Sequence, residues 1–97
     1  MTPEGRVKAK VKRALDKLPA HYRFMPVQNG MGTPGLDFFC CIGGYFVAIE
    51  TKAPGGKLTA RQKDTKAKIE KAKGTVFVIE NDDQIADMMR KITLGLF

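Results

Sequence analysis

The chain has 97 residues, 43% of them hydrophobic, which predicts a single domain with a modest core. It has no apolar run near twenty residues and no apolar stretch at its N-terminus, which argues against a membrane-spanning or secreted protein and favours the cytoplasm. The net charge of +7 is large for this length and indicates a polyanionic partner, with nucleic acid as the first candidate.

The first predicted element is a basic amphipathic helix from Thr2 to Leu18. Thr2 suits the N-cap, Pro3 suits the first helical position, and Pro19 ends the segment. Apolar residues recur at helical spacing on one face, namely Val7, Val11, Ala14, Leu15 and Leu18. Lysines and arginines cover most of the remaining surface, so we expect the apolar face to pack on the core.

A short strand from Tyr22 to Val27 and a turn-rich loop from Asn29 to Gly35 are predicted next. Pro26 places the strand at an edge or at a bend, because proline lacks a backbone donor. The loop glycines suit a close approach to a ligand as well as an ordinary loop. His21 has no partner in the pattern, so we expect it in a loop or on the surface.

A β-hairpin is predicted from Leu36 to Lys52, with a two-glycine turn at 43–44. Residues two apart in a strand share a face, so Glu50 and Lys52 should point the same way. The turn folds the first strand alongside the second, which brings Asp37 near Glu50. Hydrolysis of a phosphodiester with Mg²⁺ needs such a set, because carboxylates hold a hard cation and a lysine orients or activates water.

The two cysteines, Cys40 and Cys41, are adjacent in the first strand of this hairpin, so their side chains should face opposite ways. This placement supports neither a disulfide between them nor a zinc site. We expect both to be small residues in or near the core.

A helix, a strand and a final helix complete the prediction. Thr59 should cap a helix from Ala60 to Lys73, which the following glycine ends. The apolar run from Thr75 to Glu80 is typical of a strand covered on both faces, and the last helix should run from Asp83 to Leu94. The intervening helix makes the two flanking strands parallel neighbours. The expected packing residues are Ala67, Ile69 and Ala72 on the first of these helices and Ile85, Met88, Met89 and Ile92 on the last.

A wider pattern joins these elements: Gly32 to Gly35, Asp37, Gly43-Gly44, Glu50-Thr51-Lys52, Gly56-Lys57-Leu58-Thr59 and Gln62. It resembles the PD-(D/E)xK nuclease superfamily, and most closely the small VRR-NUC domains (virus-type replication-repair nucleases) that bacteriophages carry alone. The resemblance runs from Thr2 to about Ile79 and implies an α/β fold with a restriction-endonuclease-like α-β-β-β-α-β core. In such a core helices flank a mixed central sheet, to which this chain adds a C-terminal helix. Leu36 stands where the family usually has proline, so the approach loop differs.

The resemblance implies a metal-dependent DNA nuclease with Mg²⁺ or Mn²⁺ as cofactor. Asp37 and Glu50 would ligate the metal, and the carbonyl of Thr51 would be an additional ligand. Glu4 would reach the metal through water, although an acid at a helix N-terminus is also favourable by itself.

Catalysis and partners are implied in the same way. Lys52 would act as the general base or orient the water, and Gln62 would position water or phosphate. The family tends to form homodimers suited to cutting branched DNA, possibly a Holliday junction. A phage-encoded protein would act in the cytoplasm of the host cell.

Four basic residues are candidates for contacts to nucleic acid. Lys57 and Arg61 fall beside the predicted site, and Lys8 and Lys12 lie on the first helix. Ordinary solvated charges remain the alternative for these residues.

Two other functions stay open. A non-catalytic DNA- or RNA-binding module would keep the fold and the basic surface, although the intact acid, acid and lysine set argues against it. A small phage structural or regulatory protein would use the charge for solubility or assembly, and an anionic membrane surface is a further candidate partner. The apolar tail from Leu94 to Phe97 would dock on the core or form part of a dimer interface.

Overall fold

The computed structural model describes residues 1–27 and 36–97. Its α/β fold comprises a four-stranded mixed sheet flanked by helices. The elements are α1 (Pro3–Leu15), β1 (His21–Phe24), β2 (Phe38–Ile42), β3 (Tyr45–Thr51), α2 (Ala60–Lys71), β4 (Thr75–Ile79) and α3 (Asp82–Leu94). The predicted order of elements, including the C-terminal helix, is confirmed, while the predicted loop from Asn29 to Gly35 lies outside the described residues.

The strands lie in the order β1-β2-β3-β4. β2 is antiparallel to both β1 and β3, and β3 is parallel to β4, as the crossover through α2 predicts. Gly43 and Gly44 have φ angles of 59° and 85°, which a tight hairpin turn of this length requires. Because this turn pairs Ile42 with Tyr45, the register brings Asp37 to the position opposite Glu50.

The main core lies between α1, α3 and one face of the sheet. Val7, Val11 and Leu15 of α1 are buried there, and Met88 and Ile92 of α3 lie in the same cluster. The sheet contributes Phe38, Cys40, Ile42, Val47, Ile49 and Ile79. The inward faces predicted for the first and last helices are therefore confirmed.

The other face of the sheet is covered much less, because α2 is highly charged and contributes no buried residue. Ala67 and Ala72 are exposed and only Ile69 is half-buried, so the packing predicted for this helix is largely wrong. Four of the five residues of β4 are half-buried, which corrects the expectation of a strand covered on both faces. Cys41 is exposed on this side, whereas Cys40 is buried as predicted.

Several predicted boundaries differ from those of the structure by one to three residues, and three differences near the ends of α1, β1 and α2 are informative. α1 ends at Leu15 rather than Leu18, since the backbone then tightens into i to i+3 hydrogen bonds. β1 begins at His21, which therefore lies in a strand, and it ends before the bend predicted at Pro26. Lys73, with a φ of 74°, takes the left-handed position after α2 that we expected glycine to occupy.

The C-terminal tail docks through its last residue. The ring of Phe97 lies 5.3 Å from that of Tyr45 at an angle of 71°, and Phe97 packs against the core cluster. Leu94 and Leu96 stay exposed. Among residues 1–27 and 36–97, no helix has the length and apolar character needed to cross a membrane.

Candidate active site

Glu50 is a buried carboxylate near the end of β3, with only 3% of its surface exposed. Its Oε1 accepts a hydrogen bond of 3.1 Å from the backbone N–H of Asp37. Its Oε2 accepts one of 2.9 Å from Nε2 of Gln62 and lies 3.4 Å from Nζ of Lys52. The structure therefore brings these four predicted site residues together.

Burial raises the pKa of Glu50 to about 7, and the negative charge of Asp37 contributes to the same shift. The charge of Lys52 and its hydrogen bond act in the opposite direction but do not offset it. Glu50 therefore changes its charge near neutral pH, and its environment would favour the charged form if more positive charge were added.

Asp37 occupies the end of the ladder between β2 and β3. Its Oδ2 accepts hydrogen bonds from the backbone N–H of Thr51, at 2.9 Å, and from Oγ1 of the same residue. The next amide, that of Lys52, donates to the carbonyl of Ile79 on β4. Successive N–H groups of a strand point to opposite edges, so the Thr51 amide faces β2, where the Asp37 carboxylate receives it.

Lys8 reaches the second oxygen of Asp37 from α1, with its Nζ 3.4 Å from Oδ1. The Lys8 side chain is 37% exposed and that of Asp37 is 13% exposed, so the pair lies at the surface of the site. We call the whole set the acid–lysine cluster, which consists of Lys8, Asp37, Glu50, Thr51, Lys52 and Gln62.

Gln62 has two structural roles. Its side-chain Oε1 accepts from the backbone N–H of Thr59 at 2.9 Å, and its own N–H donates to Thr59 Oγ1 at 3.2 Å, which completes a capping box. Its amide Nε2 is then left to hold Glu50. The start of α2 is thereby fastened to the acid–lysine cluster.

The oxygen ligands of the cluster suit a hard divalent cation such as Mg²⁺ or Mn²⁺. The carboxylates of Asp37 and Glu50 would hold the ion, and the positive charge of a cation would counter the burial and the repulsion from Asp37 that raise the pKa of Glu50. Within the described ranges, no three His, Cys, Asp or Glu side chains are grouped to share a metal, so Glu4 is not brought into the set. Mg²⁺ commonly keeps several waters, so two protein carboxylates are compatible with its binding.

The remaining predicted residues lie outside the cluster. Lys57 and Arg61 are exposed in the loop before α2 and in its first turn, and Lys12 is exposed on α1. Glu4 is exposed in the first turn of α1. These positions leave the basic side chains accessible to phosphates.

Two contacts of the cluster were not predicted from the sequence. For Thr51 only the carbonyl was considered, whereas its hydroxyl and amide hold Asp37. A hydroxyl side chain at the last position of an otherwise apolar strand was the available signal. The ion pair between Lys8 and Asp37 had no local signal, since 29 positions separate the two residues.

No protein-family model matches the sequence, and no curated protein matches it at a significant level.

Proposed function

We propose that this protein is a Mg²⁺- or Mn²⁺-dependent endonuclease that hydrolyses DNA phosphodiesters, with branched or junction DNA as its preferred substrate. The main support is the buried Glu50, which is hydrogen-bonded to Asp37 and lies within 3.4 Å of the Lys52 ammonium. The resemblance of this spacing to the PD-(D/E)xK pattern supports the same conclusion, and the net charge of +7 suits a polyanionic substrate.

A purely structural role explains Glu50 less well. A carboxylate that stabilises a fold is usually held where its pKa falls, because its partners favour the charged form. Here the pKa is raised to about 7, so keeping Glu50 charged opposes folding at neutral pH. Perturbation of this kind by burial and a neighbouring like charge is typical of functional sites.

The proposed mechanism assigns a task to each residue of the site. Asp37, Glu50 and the carbonyl of Thr51 would hold the cation, which when bound would neutralise charge on the phosphate and on the leaving oxygen. Gln62 fixes Oε2 of Glu50, and Lys52 orients the attacking water. The water oxygen forms a bond to phosphorus as the bond to the 3′ oxygen breaks. Water yields its proton to solvent and the 3′ oxygen takes one up, leaving a 5′-phosphate and a 3′-hydroxyl.

Four basic residues would bind the DNA backbone, three of them exposed and one, Lys8, half-buried. Lys57 and Arg61 are the proposed contacts beside the site, with Lys8 and Lys12 on α1 extending the basic surface. Contacts to phosphates release counterions, so binding should weaken steeply as the salt concentration rises.

One observation favours a second candidate, a non-catalytic nucleic-acid-binding module. Two ammonium groups already lie 3.4 Å from the two carboxylates, Lys8 from Asp37 and Lys52 from Glu50. Each carboxylate is thus paired with an ammonium group of the chain itself, as a site without metal would require. This candidate predicts salt-sensitive binding without cleavage.

The two functions separate in one cleavage experiment. Flap, splayed, four-way and duplex DNAs are incubated with the wild type in Mg²⁺, Mn²⁺ or EDTA, and DNA binding is measured in EDTA. We expect cleavage only with metal, and we expect Glu50→Gln and Lys52→Met to lower its rate by at least about 1,000-fold while binding stays within a few-fold.

Lys10→Met is the matched control, because Lys10 also pairs with a carboxylate, that of Asp82, but outside the acid–lysine cluster. It should cleave as the wild type does. Binding without cleavage under every condition would support the non-catalytic module, and full activity of Glu50→Gln would contradict the assignment of the site.

A further inference from the structure

The two oxygens of the Asp37 carboxylate have different surroundings. Oδ2 accepts two hydrogen bonds from Thr51, one from its backbone N–H and one from its hydroxyl. Among residues 1–27 and 36–97, Oδ1 has one polar partner, the ammonium group of Lys8, whose Nζ lies 3.4 Å away. A carboxylate oxygen offers about two lone-pair sites, so Oδ2 has little capacity left. Oδ1 is therefore the oxygen of Asp37 that a divalent cation would use.

The two lysines of the acid–lysine cluster differ in how easily they can leave it. The side chain of Lys52 is 12% exposed and that of its partner Glu50 is 4% exposed. The side chain of Lys8 is 37% exposed, and within the described ranges its ammonium group contacts no polar group other than the Asp37 carboxylate. Ion pairs at a surface contribute little free energy, so such a lysine exchanges its partner readily. Lys8 is therefore the cation of the cluster that another anion can draw away.

We propose that Lys8 is a switch, whose ammonium group occupies Oδ1 of Asp37 in the free protein and moves to a DNA phosphate in the complex. The proposal rests on the endonuclease function proposed above and concerns the regulation of the same site. An ammonium group and a divalent cation repel each other, so the two cannot both face one carboxylate oxygen favourably. Lys8 thus opposes metal binding until a phosphate attracts it.

The position of Lys8 on α1 suits both contacts. Val7 and Val11 are buried, so Lys8 lies at the boundary between the core and the surface, where its side chain reaches Asp37. Lys12 is exposed and lies four positions further along the helix, which places it on the same face as Lys8. A phosphate that Lys12 binds on this face would lie within one helical turn of Lys8.

Movement of Lys8 would couple the binding of metal to the binding of DNA. Once the ammonium group leaves Oδ1, a divalent cation binds more tightly in the complex than in the free protein. Such linkage is reciprocal, so the cation strengthens DNA binding by the same factor. The complete metal site would then form mainly on DNA, which limits hydrolysis by the free protein.

An ordinary ion pair is the competing explanation for the contact between Lys8 and Asp37. A lysine that only supports the position of Asp37 would leave metal affinity unchanged or lower when it is removed. A lysine that competes with the metal would raise the affinity when it is removed. A gain in affinity also cannot result from damage to the fold, so the direction of the change separates the two explanations.

The first test measures Mn²⁺ binding without DNA by isothermal titration calorimetry, in the wild type, Lys8→Met and Lys12→Met. Lys8→Met should lower the dissociation constant for Mn²⁺ by at least about 10-fold, because it removes the cation that faces Oδ1. Lys12→Met is the matched control, because it removes the same charge one turn away and Lys12 pairs with no carboxylate in the described part of the chain. Its dissociation constant should stay within about 2-fold of the wild type, since solvent and salt screen the more distant charge.

Two results of this titration have different consequences. Equal dissociation constants in the wild type and Lys8→Met would overturn the switch and leave the proposed metal site intact. No Mn²⁺ binding by any of the three proteins would overturn both the switch and the metal-dependent function.

The second test measures the coupling in proteins that also carry Lys52→Met, so that the DNA stays intact. Binding of a fluorescein-labelled splayed DNA is followed by anisotropy in EDTA and in saturating Mn²⁺. The factor by which Mn²⁺ strengthens DNA binding should be at least about 5 times larger in Lys52→Met than in the Lys8→Met/Lys52→Met double variant. The Lys12→Met/Lys52→Met double variant loses a phosphate contact but should keep the full factor. The same factor with and without Lys8 would overturn the coupling.

Discussion

The two faces of the sheet differ in how completely they are covered. On the face toward α1 and α3, Phe38, Val47 and Ile49 are fully buried. On the other face α2 contributes no buried residue, and Phe46 is half exposed. The acid–lysine cluster draws Glu50, Lys52 and Gln62 from this thinly covered face. We therefore expect the first face to supply most of the stability, which leaves the second free to hold a buried charge and an open surface.

The test with the largest expected effect on stability removes one apolar side chain from each face of the sheet. Phe38→Ala should lower the free energy of unfolding by about 4 kcal/mol, because Phe38 is fully buried and its loss leaves a cavity. Ile69→Ala, on α2, should cost only about 1 kcal/mol, because Ile69 is half-buried. Urea denaturation followed by circular dichroism measures both. Equal losses in the free energy of unfolding would contradict the expectation that the face toward α1 and α3 contributes more to stability.

The next test concerns the pH dependence that Glu50 introduces. Its pKa rises from 4.5 to about 7 on folding, so the folded state binds more protons than the unfolded state between these values. The stability that protonated Glu50 contributes is present below pH 4.5 and is lost as the pH rises through 7. In EDTA, Glu50→Gln should therefore match the wild type near pH 4 and exceed its free energy of unfolding by up to about 3 kcal/mol at pH 8.

Glu70→Gln is the control for that series, because Glu70 is an exposed carboxylate that pairs with Lys66 on α2. The free energy of unfolding of Glu70→Gln should stay within about 0.5 kcal/mol of the wild-type value at every pH. A Glu50→Gln advantage that shrinks toward alkaline pH would mean that burial does not raise the pKa of Glu50.

A smaller effect on the free energy of unfolding is expected at Thr51, the last residue of β3. Thr51→Val keeps the shape of the side chain but removes the hydroxyl that donates to Oδ2 of Asp37. A hydrogen bond to a charged group typically contributes about 2 kcal/mol, so the free energy of unfolding should fall by about that amount. Thr93→Val, at an exposed position of α3, should change it little. Thermal and urea unfolding of the two valine variants make the comparison, and equal values would remove the role assigned to the hydroxyl.

The smallest expected change in the free energy of unfolding concerns the residue that follows the end of α2. Lys73 has a φ of 74°, a conformation in which glycine avoids the steric penalty of a side chain. Lys73→Gly should raise the free energy of unfolding by about 0.5–1 kcal/mol. Lys71→Gly, within the helix, should lower it by about 1 kcal/mol. Changes of the same sign in the two variants would show that backbone conformation does not determine the effect.

The sequence was sufficient to predict the parts of the site that depend on local geometry. A two-residue turn at 43–44 pairs Ile42 with Tyr45, and counting back along both strands places Asp37 opposite Glu50. Alternation within β3 then places Lys52 on the same side as Glu50. These relations need only the hairpin, whose register the turn determines.

The parts that were missed depend on distant segments. The exposure of Cys41 follows from α2 leaving β1 and β2 uncovered, which the charges of that helix suggest but do not specify. The ion pair between Lys8 and Asp37 joins α1 to the hairpin across 29 positions, which no local pattern indicates. The hydroxyl contact of Thr51 depends on which edge of the strand its amide faces, a detail that hydrophobic periodicity does not determine.

The carboxylate of Asp37 stands where a neighbouring strand would ordinarily offer a carbonyl to the Thr51 amide. The amide proton of Thr51 is therefore an intrinsic spectroscopic probe of the carboxylates of Asp37 and Glu50. Its NMR chemical shift and its rate of exchange with deuterium should respond when an ion binds at Asp37, before any product forms and without a label attached to the protein.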